Sequence, residues 1–155
     1  MVTPETQTAL DLLRKIPDDG FKWYIIPMMG FVIYVYSHEI KKKNWNSVFA
    51  GLAYTGMDFF NEWWNALLVP ITNRSAFWTV GGESALVIFV GLNIEIFFVF
   101  SLAGIAFTNM LPEDKNMKID LKFMKMNNRL FYALGNCVFA VAIEFWLHDL
   151  ICTYN

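Results

Sequence analysis

Of the 26 charged residues in this chain, 19 lie within the first 22 positions, in 38–43 or in 112–129. That confinement leaves four stretches, at about 22–40, 45–69, 83–109 and 129–151, almost free of charge. Each approaches the ~20 residues that cross a bilayer core at 1.5 Å per residue. At 155 residues the chain is one domain on length alone, and its 17% charged content falls below the roughly 25% of soluble domains. The expected fold is therefore all-α: a single domain, 1–155, forming an integral membrane bundle of four transmembrane helices. A soluble all-α bundle with unusually apolar helices competes with it, because most of the stretches are interrupted by an acid. The charge-free run 97–111 and the 15 Phe, 6 Trp and 6 Tyr favour the membrane bundle.

The basic residues suggest an orientation. Lys41, Lys42 and Lys43 follow the first stretch, and Lys115, Lys118, Lys122, Lys125 and Arg129 separate the third from the fourth, whereas 70–82 holds only Arg74. Positive residues gather on the cytoplasmic side, so the loops 41–43 and 115–129 are expected there in a multi-pass protein. The segment 110–128 alternates basic with apolar residues and is expected either along anionic headgroups or as a polar loop. The first 20 residues lack the apolar region of a signal peptide, which leaves insertion to the first stretch. Ala9, Leu12, Leu13 and Ile16 recur at helical spacing behind Thr3 and Pro4, the pattern of a short capped amphipathic helix.

Several functions drop out. A net charge of −2 gives no footprint for nucleic acid. Cys137 and Cys152, fifteen residues apart on one expected helix, are separated by about 22 Å and cannot form a disulfide with each other. No phosphate-binding loop, nucleophile elbow or dinucleotide fingerprint is present.

Asp58, Glu62, Glu83, Glu95, Glu144 and His148 nevertheless lie inside or at the mouths of the apolar stretches, with no Lys or Arg among them. A carboxylate in an apolar medium must be protonated, hydrogen-bonded or bound to a cation, so these residues mark a candidate site. Gly51, Thr55, Asp58, Glu62 and Asn65 follow at spacings of four, three, four and three, which puts them on one face of a helix. Asn136, Ala140, Glu144 and His148 step by four on another. Glu95 is expected to join Asp58 and Glu62, with Asn93 turned away by about 200° on a shared helix. Glu83 is expected at the mouth. Polar glue between helices is the plain alternative for the whole stripe.

Three functions fit that set. The leading one is an enzyme acting on a lipophilic, isoprenoid-like substrate, isomerising or cyclising it through one protonated and one ionised carboxyl. Asp58 or Glu62 would donate the proton, the pair Glu144–His148 would accept it, and Glu95 would complete the catalytic set. Trp63, Trp64, Asn65 and Trp146 would line the substrate, since aromatic faces stabilise cationic intermediates. No cofactor is implied and no metal ligand is assigned. A carboxylate and histidine site for a divalent metal is the second function, although only one Glu-x-x-x-His occurs where di-iron bundles repeat Glu-x-x-His. The third is a proton- or ion-translocating or accessory subunit, as a homo-oligomer or within a larger membrane complex. Membrane lipids and an apolar small molecule are the expected partners.

The stretches Asn61-Glu62-Trp63-Trp64 and Asn93-Ile94-Glu95-Ile96-Phe97-Phe98 resemble the integral membrane terpene cyclases and the small lycopene-cyclase-type proteins. The chain lacks the paired Glu-Glu of the lycopene group, and no catalytic residue is carried over from the resemblance.

Overall fold

The computed structural model describes residues 2–15, 20–80, 84–114, 116–121 and 124–152, with side chains at 121, 124, 140 and 143–152 outside the description. The described residues form five helices and two small sheets. In chain order these are α1 (Pro4–Asp11), α2 (Ile25–Lys41), α3 (Trp45–Thr72), β1 (Val87–Phe89), β2 (Leu92–Asn93), α4 (Ile94–Met110), β3 (Lys118–Leu121), β4 (Met124–Asn127) and α5 (Asn128–Cys152). They fall into two compact units, 1–108 and 109–155.

The all-α bundle of four transmembrane helices is corrected by this architecture. Among the described residues no helix is long and apolar enough to cross a membrane. The physical reasons differ by element. α2 and α4 each have 17 residues, short of the ~20 needed. α3 has 28, but Thr55, Asp58, Asn61, Glu62 and Asn65 interrupt its apolar run. α5 has 25 and carries Asn128, Arg129, Asn136, Glu144, His148 and Asp149. The expected third stretch does not begin as a helix. Its described residues ahead of α4, 84–93, contain β1 and β2, an antiparallel pair whose register slips between Val87 and Phe89. Val87, Ile88 and Val90 favour strand, and Gly91 beside them interrupts helix.

α1 starts where Thr3 caps it and Pro4 enters at its first turn. It ends at Asp11 rather than Ile16, because the chain turns to meet β1: the Arg14 N–H donates to the Val87 carbonyl at 2.8 Å, and Leu13 bridges Val87 in parallel. Thr6 and Ala9 are its buried face. The hairpin is fastened on its other sides by Val80 N–H to the Val90 carbonyl and Ile94 N–H to the Leu86 carbonyl. Leu92, Val90 and Val87 are accordingly among the most deeply buried apolar residues.

α3 and α4 cross at two glycines. A Cβ at Gly104 would lie 2.8 Å from the Gly51 Cα, and one at Gly51 would lie 2.9 Å from the Ser101 carbonyl oxygen. Only hydrogen fits at that crossing. Tyr36 of α2 joins it, its hydroxyl 2.8 Å from Ser101 Oγ. Glu39, buried at the end of α2, accepts a hydrogen bond from Asn44 Nδ2 and faces Lys42 Nζ at 3.7 Å.

The second unit begins with a hairpin. β3 and β4 pair antiparallel from Lys118 opposite Asn127 to Leu121 opposite Met124. The alternation of basic and apolar residues expected to mark a surface segment or loop is thus the period of a strand. Asn127 Oδ1 then accepts the Arg129 N–H and starts α5.

α3 is turned inside out relative to the usual amphipathic helix. Its buried residues include Ser47, Gly51, Thr55, Asp58, Glu62 and Asn65, while Trp45, Phe49, Leu52, Phe60, Trp63 and Trp64 are exposed. On α2, too, Phe31, Ile33 and Tyr34 are exposed and Glu39 is buried. Buried polar groups under an exposed apolar surface are informative where isolated exposed apolar residues are not.

Candidate functional site

The polar stripe of α3 is the centre of the site. Helical spacing places Asp58 and Glu62 one turn apart on the buried face, 8% and 6% exposed. Each keeps one buried oxygen, Asp58 Oδ2 and Glu62 Oε2, without a hydrogen-bond partner among the described residues. Buried polar atoms are nearly always partnered, so two orphans on neighbouring turns need an explanation. Burial, and then the Glu62 charge, push the Asp58 carboxyl up to about 6. Burial pushes Glu62 up as well, against the lowering effect of hydrogen bonds from Trp78 and Asn65.

The rest of the stripe builds the walls. Thr55 Oγ1 returns its hydrogen to the Gly51 carbonyl at 2.9 Å. Asn65 is fully buried and clamps the segment after α3: its Nδ2 donates to the Trp78 carbonyl and its Oδ1 accepts the Phe77 N–H, both at 2.9 Å. The clamp brings the Trp78 indole back to α3, where Nε1–H donates to Glu62 Oε1 at 2.5 Å. Gly91 closes the arrangement from the hairpin. A Cβ there would fall on Glu62 Oε2 and on the Trp78 ring.

Glu95 is held by a different set of partners. It sits in the first turn of α4, where its carboxylate accepts from the Ala85 N–H and from Ser84 Oγ, each at 2.7 Å, and from the Tyr24 hydroxyl. Burial pushes this carboxyl up, but the donors from Ala85, Tyr24 and Ser84 outweigh it and hold Glu95 below its ordinary value. The same bond pushes the Tyr24 phenol up. Asn93 does not share a helix with Glu95: it ends β2 and caps α4, accepting the Ile96 N–H at 2.8 Å.

Of the other expected site residues, Trp63 and Trp64 are 45% and 50% exposed, on the outer side of α3. Glu83 lies outside the described residues, and so do the side chains of Glu144, Trp146 and His148. Among the described residues no group of three or more His, Cys, Asp and Glu side chains is gathered to hold a metal ion. The spacing that revealed the stripe gave no sign of its partners. Trp78 and Tyr24 reach their acids across 16 and 71 residues. The two signals available in the sequence were Gly91 within an apolar run and Asn93 three residues before Ile96, a turn and a cap.

Residues 3–153 match a family described as an uncharacterized membrane protein family, and the chain belongs to that family. Over 148 residues, 96% of this chain and 67% of the relative, it is 45% identical to an uncharacterized protein of Archaeoglobus fulgidus. No solved structure matches.

Proposed function

We propose that this protein is a membrane-associated enzyme that uses the Asp58–Glu62 pair for acid–base chemistry on a lipophilic, isoprenoid-like substrate, isomerising or cyclising it. The observation that carries this reading is the pair of buried, unpartnered oxygens, Asp58 Oδ2 and Glu62 Oε2, one helical turn apart. Glu95 spends its oxygens on three donors, whereas the pair keeps two oxygens that no described residue satisfies and that are open to a proton. With Asp58 raised to about 6, one carboxyl of the pair can carry a proton near neutral pH while the other is ionised. The exposed apolar surface of α2 and α3, from Phe31 and Tyr34 to Phe60, Trp63 and Trp64, gives the protein a face for acyl chains, from which such a substrate would come.

Mass spectrometry of lipids that co-purify with the protein identifies the substrate to assay. Asp58→Asn and Glu62→Gln are each expected to lower its turnover 100-fold or more, on the order of general acid–base contributions. Intact turnover in both variants overturns the proposal. Stoichiometric co-purification of a second protein without bound lipid would instead favour an accessory subunit whose partner supplies a cation to the pair.

A further inference from the structure

The two carboxyls of the pair are chemically alike but differently held. Glu62 receives the Trp78 Nε1–H on Oε1. An indole N–H can only donate, so this bond favours the ionised form of Glu62 and leaves Oε2 as its bare oxygen. Asp58 Oδ2 has no donor among the described residues, and the charge that acts on Asp58 is that of Glu62 itself. The groups that face Glu62 from the segment after α3 and from the hairpin are Trp78 and Gly91, and neither titrates in the working range.

We infer that the pair has fixed roles: Asp58 holds and delivers the proton, Glu62 is the base, and Trp78 is the positioning residue that makes the assignment, itself set by the Asn65 clamp. The inference rests on the acid–base function proposed above. In one turnover the Asp58 proton adds to an alkene carbon of the substrate, whose π pair forms the new C–H bond and leaves a cation on the neighbouring carbon. Glu62 then removes a proton from an adjacent carbon, and that C–H pair becomes the new double bond. The substrate is isomerised with no net gain or loss, Asp58 is ionised and Glu62 is protonated. Transfer of that proton across the single turn between them, directly or through water, restores the starting state.

Infrared titration of the purified protein tests the assignment without any turnover. A protonated-carboxyl band with its midpoint near pH 6 is expected; Asp58→Asn removes it and leaves Glu62 to titrate at lower pH, whereas Glu62→Gln keeps an Asp58 band with a lowered midpoint, since the Glu62 charge no longer raises it. Trp78→Phe keeps a ring and deletes the donor. Combined with Asp58→Asn, it is expected to move the Glu62 titration to higher pH than in Asp58→Asn alone, a shift that a purely structural Trp78 would not produce. A band still titrating near pH 6 in Asp58→Asn, loss of the Asp58 band in Glu62→Gln, or a Glu62 titration indifferent to Trp78→Phe overturns the division of roles. These outcomes stand apart from the function itself, which fails on intact turnover in the Asp58 and Glu62 variants.

Discussion

Glu95 at the start of α4 and the Asp58–Glu62 pair in the middle of α3 are the same kind of residue in the same kind of apolar sequence, yet they are treated in opposite ways. Glu95 is surrounded by donors: a backbone N–H, a serine hydroxyl and a tyrosine hydroxyl draw α2, the 84–86 segment and α4 together on one carboxylate. The pair receives the Trp78 indole N–H and the Asn65 amide, both on Glu62, and keeps two oxygens without a partner among the described residues. Burial raises all three acids, so the number of donors decides the outcome, down for Glu95 and up for Asp58 and Glu62. A buried acid in an apolar helix is therefore a question rather than a site, and its hydrogen bonds answer it.

Four substitutions test that contrast. Glu95→Ala removes the acceptor of three donors and strands the Ala85 N–H, so a loss of about 2–4 kcal/mol in unfolding free energy is expected from chemical denaturation. A loss within a few tenths of that figure's error from zero would mean that Glu95 is no anchor. Asp58→Asn should do the reverse. The folded-state value of Asp58 lies above its unfolded value, so the folded protein binds the extra proton between about pH 4 and pH 6 and loses stability as pH rises through that window. Asp58→Asn removes this dependence and should be more stable than the parent by up to about 3 kcal/mol above pH 6, with no gain below pH 4. Equal gains at both extremes would show that the ionised carboxyl carries no penalty. Gly91→Ala places a methyl group on the Glu62 carboxylate and the Trp78 ring; about 1–3 kcal/mol should be lost, with a change in tryptophan fluorescence as the indole moves. Tyr24→Phe deletes one donor of Glu95 and should cost about 1 kcal/mol, leaving the pH dependence owed to Asp58 untouched.

Some of this was legible in the residues. The shared face of Gly51, Thr55, Asp58, Glu62 and Asn65 follows from steps of three and four, and the cap at Thr3–Pro4 follows from residue chemistry. The four-span bundle is not the fold, because an apolar composition does not fix helix length. The stretch after residue 83 is greasy enough for a span, but Val87, Ile88, Val90 and Gly91 make its described start a hairpin, and the helix that remains has 17 residues. The Lys118–Asn127 region carried its period of two in plain view, yet its place between expected spans suggested a segment along headgroups or a loop. The division between Glu95 and the pair was not legible at all. It depends on Tyr24, Ser84, Ala85 and Trp78, which reach their acids through the folded chain and leave no local spacing to find.

The attachment of α1 has a kinetic side. Its hydrogen bond from the Thr3 N–H to Ser75 Oγ spans 72 residues, and the Arg14 bond to Val87 spans a similar length of chain. During synthesis from the N-terminus, the first helix emerges long before either partner exists. It must wait, undocked, until the β1–β2 hairpin has left the ribosome, and contacts of such long range close slowly. Within residues 1–108 a helix made early is thus fixed only after a hairpin made late, and its docking reports that the hairpin carrying Gly91 is already in place.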